Sequence, residues 1–216
     1  MSRYPDRLAI ALVVVAMQQA ATAGVWRRDE VMGRIGDLVE RARRAGVPVV
    51  WVRRTTSDLP VGSTGWQLVD ELVPAPGEPI IEAAYPNCFD ATDLDATLAA
   101  LEVGRLVVCG VRSDRSIRAS VAGALAHGYD VTLVEDAHTT AGFQASGLSF
   151  DAEYDVGYLN ALLGDDRAPD AMVDLVLARD AVLTSPAAPS DNEILAMAEA
   201  EDEAEEARID SDPPDQ

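Results

Sequence analysis

The stretch Arg105–Glu135, RLVVCGVRSDRSIRASVAGALAHGYDVTLVE, decides the fold. Its opening run, Arg105–Val111, is almost wholly apolar and rich in Val, as a strand buried on both faces must be. A polar turn follows, and Asp114–His127 reads as a helix stopped by Gly128. Tyr129–Glu135 is a second apolar strand. Two continuous apolar strands joined through a helix imply parallel pairing, because parallel neighbours need a long crossover between them.

The alternation repeats in both directions. Upstream, Leu8–Val15 is a β-branched strand, and Arg28–Ala45 is an amphipathic helix with Val31, Ile35, Leu38, Val39 and Ala42 on one face. Gly46 ends that helix, and Val47–Val52 is the next strand. A loop from Arg54 to about Gly77 is broken by Pro60, Gly62, Gly65, Pro74 and Pro76, with a short helical piece expected near Trp66–Leu72. Pro79–Glu82 is a short strand, and Thr92 or Asp93 caps a helix running through Leu101. Downstream, a helix at about Ala152–Leu163 and a strand at about Met172–Leu177 close the series. The expected fold is a three-layer α/β/α domain over residues 1–184, with a mainly parallel, doubly wound sheet of six strands.

Residues 3–23 admit a second reading. Arg3 and Arg7, the apolar run Leu8–Met17 and then Ala21-Thr22-Ala23 imitate a secretory signal with its cleavage site. The strand reading is preferred, because removing this run would deprive the following α/β pattern of its central strand. No stretch is long and apolar enough to span a membrane.

The 216 residues carry a net charge of −20. Asp191–Gln216 holds 11 acidic residues and one Arg, so half of the excess lies in the last 26 positions. Residues 185–216 therefore read as an acidic tail, disordered or helical in part across Ile194–Ala207. It acts as a solubilising segment or as a partner-binding one. Acidity argues against nucleic-acid binding, which needs cations to displace phosphate counterions. The two cysteines, Cys88 and Cys109, make no disulfide framework, which fits a reducing cytoplasm. Every one of the 17 basic residues is Arg, and Lys is absent.

Three segments carry a family resemblance. Ala11–Gln18 reads ALVVVAMQ, Glu78–Leu94 reads EPIIEAAYPNCFDATDL, and Arg105–Ser120 is followed by Ala126–Thr140, which ends DAHTT. In order and spacing they resemble the isochorismatase-like cysteine hydrolases over roughly residues 6–184. Amidases of that family use a Cys nucleophile, an Asp that takes its proton, and a Lys that tunes both, with backbone N–H groups binding the oxyanion. The resemblance assigns the Asp position to Ala16, the Lys position to Ala83 and the Cys position to Ser116. Alanine holds no titratable group, and a Ser hydroxyl needs a base more than a thiol does. The Cys-independent route, protonation of a vinyl ether by the Asp, also fails with Ala16 in its place.

The resemblance thus implies a non-catalytic relative, a pseudoenzyme with no cofactor. Family members that bind zinc or iron do so through Asp and His in the loop after the second strand. Trp51–Ser57 offers no His, so no metal is expected. His127, at a helix end, and His138 are given structural roles. The family's cis peptide is expected at Val111–Arg112. Arg53 or Arg54, with Arg112 and Arg115, would make the old cleft positive and suited to a carboxylate or phosphate; the plainer alternative pairs these side chains with Glu82, Asp90 and Asp114. Three roles follow: a small-anion binder or regulatory subunit, as a dimer or tetramer or paired with an active paralogue; an amide hydrolase with relocated residues, Cys88 as nucleophile and Asp90 or Asp114 as base; or an oligomer component using the tail.

Overall fold

Ala9–Val15 is buried at six of its seven positions and forms β1 in the interior of the sheet. A run that is apolar on both pleat faces is stable only where both faces are covered. A computed structural model describes residues 3–4, 6–145, 148–164 and 166–184. The acidic tail expected over 185–216 lies outside the described residues.

Along the chain come β1 (Ala9–Val15), α1 (Arg28–Arg44), β2 (Val49–Arg54), β3 (Ile80–Ala83), α2 (Leu94–Ala100), β4 (Val103–Val111), α3 (Arg118–His127), β5 (Asp130–Thr139), β6 (Phe143–Ala145), β7 (Leu148–Phe150), α4 (Ala152–Gly164), β8 (Arg167–Ala168) and β9 (Ala171–Val176). The main sheet runs β3-β2-β1-β4-β5-β9-β8. Every pairing in it is parallel except β8 with β9. All six expected strands are present, and the sheet has seven because β8 adds a two-residue edge. Arg167-Ala168 carries no apolar run, so nothing in its sequence marks it as a strand. β6 and β7 form a separate antiparallel pair.

The helices cover the sheet. α1 packs on β1, β2 and β5, α2 on β4, and α3 and α4 on β5 and β9. Val31, Met32, Ile35, Leu38, Val39 and Ala42 of α1 are buried, and each large side chain there contributes about 1.5–3 kcal/mol. Asp29 and Glu30 in its first turn and Arg41, Arg43 and Arg44 in its last complement the helix dipole. α2 starts where Thr92 Oγ1 accepts the Leu94 N–H (3.3 Å) and donates to the Cys88 carbonyl (2.6 Å). Among the described residues no helix is long and apolar enough to cross a membrane.

Three boundaries differ from expectation. The helical piece in the long loop is a single 3-10 turn at Thr64–Trp66, started by Ser63, whose side chain accepts the Trp66 N–H (3.3 Å). The segment expected as one helix over 114–127 winds first as a π turn, Ser113–Ile117, and becomes α-helical only at Arg118. β5 continues to Thr139 rather than ending at Glu135. A break in register lets it do so: Val108 pairs with Leu133, and Gly110 with His138. Such a bulge re-aims the strand beyond it.

Candidate functional site

The order of strands reverses between β1 and β4. From β1 the chain proceeds outward through β2 and β3, then returns to lay β4 on the other side of β1. In doubly wound sheets a ligand crevice opens beyond the strand ends at that point. Ala16 directly follows β1, Val111 ends β4 and Arg112 follows it. They line a cavity of about 510 Å³ together with Arg54, Asp58, Pro86, Arg115 and Ser116.

Close approach of the two strands fixes this corner. Gly110 has φ +125°, and a Cβ there would lie 2.1 Å from the Val15 carbonyl oxygen. Only glycine fits. The Val111–Arg112 peptide is cis, as the resemblance implied. The Arg112 carbonyl then accepts the N–H groups of Arg115 and Ile117, both at 3.1 Å, which sets the π turn bearing Ser116.

Gln18 ties the first two strands together. Its side-chain NH2 donates to the carbonyls of Arg54 and Trp66 (both 2.9 Å), while its oxygen accepts the Arg54 N–H (2.6 Å). The side chain is fully buried, and its three bonds satisfy backbone groups that are buried or partly so. Arg54 is thereby held at the cavity. Its Nη2 donates to the Ala84 carbonyl (3.0 Å), but its Nη1 is buried with no acceptor among the described residues. Burial, and after it the charge of Arg115, lowers the Arg54 guanidinium from its ordinary value.

The other guanidinium groups sort themselves by partner. Arg53 donates to Glu82, which also accepts from Thr55 Oγ1 (2.7 Å), and it stacks on Trp66 at 3.5 Å. Arg112 pairs with Asp114 at 3.3 Å. Arg115 has no carboxylate within ion-pair distance among the described residues. Of the four arginines named from the sequence, Arg53 and Arg112 are therefore neutralised, and Arg54 and Arg115 leave the cavity wall positive. Asp114 also accepts from Thr140 Oγ1, which joins the π turn to the end of β5.

The three positions taken from the resemblance converge at this corner. Ala16 and Ser116 line the cavity, both with little exposure. Ala83 is fully buried at the end of β3, opposite Arg54, and its carbonyl accepts the Thr55 N–H (3.0 Å). Ala84, next in the chain, lines the cavity. Cys88 is not brought there. It is buried, its N–H donates to Ser120 Oγ on α3 (3.1 Å), and burial pushes its thiol up to about 11. A thiol so disposed is almost entirely protonated at neutral pH, which counts against it as a nucleophile. Cys109 is fully buried in β4, and its thiol is also pushed up by burial.

Neither histidine lines the cavity. His127 ends α3 and stacks on Phe89 at 4.7 Å. His138 lies between Ser113 Oγ (2.8 Å at Nδ1) and Asn160 Oδ1 (2.7 Å at Nε2). Among the described residues no group of three or more His, Cys, Asp or Glu is placed to hold a metal ion. Sequence reasoning missed Asp58. It is the one carboxylate lining the cavity among the described residues, on a turn closed by mutual backbone bonds of Thr56 and Leu59. Its only signal is a place four residues after Arg54, in a Thr/Ser stretch that reads as an ordinary loop.

These features define a three-layer, doubly wound α/β protein with its cleft at the switch point. A family model described as the isochorismatase domain matches residues 10–152, more than half of the chain, and the chain belongs to that family. It is 35% identical over 136 residues to a streptothricin hydrolase of Streptomyces noursei, covering 60% of this chain and 49% of that one. It is 33% identical over 122 residues to an uncharacterized isochorismatase family protein, YddQ, of Bacillus subtilis, covering 54% of this chain and 68% of that one. The chain spans about half the length of the first curated relatives it matches. Among solved structures, an isochorismatase from Pseudomonas putida KT2440 superposes with a TM-score of 0.73 at 28% identity, over 81% of this chain and 91% of the other. A cysteine hydrolase from Pseudomonas syringae has the same fold, with a TM-score of 0.74 at 20% identity over 83% and 94% of the two chains.

Proposed function

We propose that this family member binds a small anion in the cavity at the β1–β4 switch point and does not hydrolyse it. One observation carries the reading: Arg54 lines the cavity beside Arg115, a guanidinium with no carboxylate partner among the described residues, and its own Nη1 is buried without an acceptor. A buried donor left unsatisfied costs about 1–3 kcal/mol, and more when charged. A carboxylate or phosphate oxygen would remove that penalty and relieve the repulsion between the two cations.

Loss of chemistry is supported by the residues at the three assigned positions. Ala16 and Ala83 carry no titratable group, and the ionisable groups lining the cavity are three arginines and Asp58. Keeping one member of a buried Asp–Lys pair would leave an uncompensated charge, at about 3–5 kcal/mol. Replacement of both avoids that penalty. Relatives named as streptothricin hydrolase and maleamate amidohydrolase give amide hydrolysis as the competing activity. That activity would need a nucleophile other than Cys88. The binding role fits a regulatory subunit, as a homo-oligomer or beside an active paralogue, in the cytoplasm.

The test is a hydrolysis screen on small amides and isochorismate, with the wild type beside the triple variant Ala16→Asp, Ala83→Lys, Ser116→Cys. Silence from the wild type with turnover by the triple is expected. Calorimetric titration with phosphate and acetate should give heat for the wild type and none for Arg54→Gln. Turnover by the wild type, or no anion bound, would sink the proposal.

A further inference from the structure

Opposite charges line this cavity without neutralising one another. Arg54, at the end of β2, and Arg115, in the middle of the π turn, have no carboxylate partner among the described residues, and Asp58 stands on the turn that follows β2. Among the described residues no guanidinium comes within 4.0 Å of the Asp58 carboxylate, although three arginines share the cavity wall with it. Elsewhere in this chain Arg and carboxylate side chains find each other readily: Arg43 with Glu78 (2.8 Å), Arg34 with Asp136 (3.2 Å), Arg53 with Glu82. The charges at the cavity are kept apart by backbone anchors. Gln18 clamps the Arg54 main chain, Ala84 takes its Nη2, and the paired Thr56 and Leu59 bonds hold the Asp58 turn.

We infer that the ligand is a zwitterion, a small molecule with a carboxylate or phosphate at one end and an amine at the other. The anionic end meets Arg54 Nη1 and Arg115, and the ammonium end meets Asp58. Apart from Arg112, which is paired with Asp114, the rest of the lining is uncharged and mostly small, Ala16, Ala20, Ala21 and Ala84 with Leu59 and Pro86 among it. It accepts a short methylene chain and offers no further unpaired charge. A simple anion would satisfy the arginines and leave Asp58 an unfavourable neighbour. A second charge of opposite sign turns that neighbour into an attractive contact. This inference rests on the anion-binding reading and goes beyond it by naming the class of ligand.

The experiment pairs each ω-amino acid, from glycine to 6-aminohexanoate, with the unsubstituted carboxylate of the same chain length. Binding is followed by calorimetry to wild-type protein and to Asp58→Asn, with circular dichroism to confirm folding. Asp58 is exposed, so the variant removes a charge without disturbing the core. At one chain length or more, the amino acid should bind the wild type about five-fold more tightly than its carboxylate. Asp58→Asn should abolish that advantage and leave carboxylate affinity unchanged or improved. Equal affinity for amino acid and carboxylate at every length would overturn the zwitterion inference while the anion reading stands. An advantage that survives in Asp58→Asn would overturn the role given to Asp58. Absence of binding by every carboxylate, amino acid and phosphate would overturn both readings together.

Discussion

Asn160 fixes the tautomer of His138. Its amide NH2 donates to the Glu135 carbonyl (3.0 Å), so its oxygen faces Nε2, which must carry the proton. Nδ1 is then an acceptor and takes the Ser113 hydroxyl proton. Every polar atom of the ring is used in the neutral form, and burial lowers the imidazolium pKa to about 4. Unfolded, the same side chain titrates near about 6.5. The unfolded state therefore binds the proton first, and stability falls as pH drops from about 6.5 to about 4, by about 3 kcal/mol in all. Denaturant titrations across that window should show a shallower fall for His138→Gln than for the wild type. Identical slopes would remove His138 from the linkage. Gln18 yields a second expectation at this scale. Gln18→Leu removes the side-chain partner of the partly buried Arg54 N–H and of two carbonyls, and a loss on the order of 3 kcal/mol should appear in the same assay. The residue types at Ala16, Ala83 and Ser116 were legible in the sequence, because a missing titratable group needs no coordinates. Which arginine stays unpaired was not legible. Arg53 and Arg54 are neighbours in sequence with identical chemistry, and the pleat alone sends one to Glu82 and the other to the cavity.

At the scale of elements, the corner between β1 and β4 holds the site. Gly110 lets the two backbones close to a distance no side chain tolerates, and the break in register from Val108 to Gly110 brings His138 and Thr139 alongside it. Gly110→Ala places a Cβ against the Val15 carbonyl at a positive φ, so a loss of about 3 kcal/mol or more is expected by thermal or denaturant unfolding. A variant as stable as the wild type would show that the strands can part there at little cost. The elements themselves were foreseeable from periodicity: β1, β2, β4 and β5 are apolar runs, and α1 carries its stripe every three or four residues. Two features were hidden. The π turn at Ser113–Ile117 arises from backbone bonds to Arg112 that no pattern announces, and β8 is held only by pairing with β9. Polar Glu135–His138 likewise looks like a strand's end, yet the bulge carries β5 through it.

For the whole molecule, the net charge of −20 sets a repulsive background for any anionic ligand, and the cavity is a local exception to it. A ligand that binds only the folded state stabilises it by about 2.7 kcal/mol at a hundredfold excess over Kd. Phosphate at that excess should raise the melting temperature by about 5–10 °C over chloride at equal ionic strength, and Arg54→Gln should abolish the rise. An equal rise in the variant would assign the effect to general salt stabilisation. The layered α/β architecture follows from the order of residues alone, because burying apolar runs of strand and helix length leaves few other arrangements. The absence of Lys is likewise a fact of composition, and the family resemblance is what assigns Ala16, Ala83 and Ser116 to their positions. Three things were visible only in three dimensions: Cys88 is sealed away, Arg54 and Arg115 line one cavity without a carboxylate partner among the described residues, and Asp58 shares it with them. The physical reason is that charge pairing and desolvation act through space, between residues that the chain places far apart or on opposite pleats, whereas apolar periodicity acts along the chain.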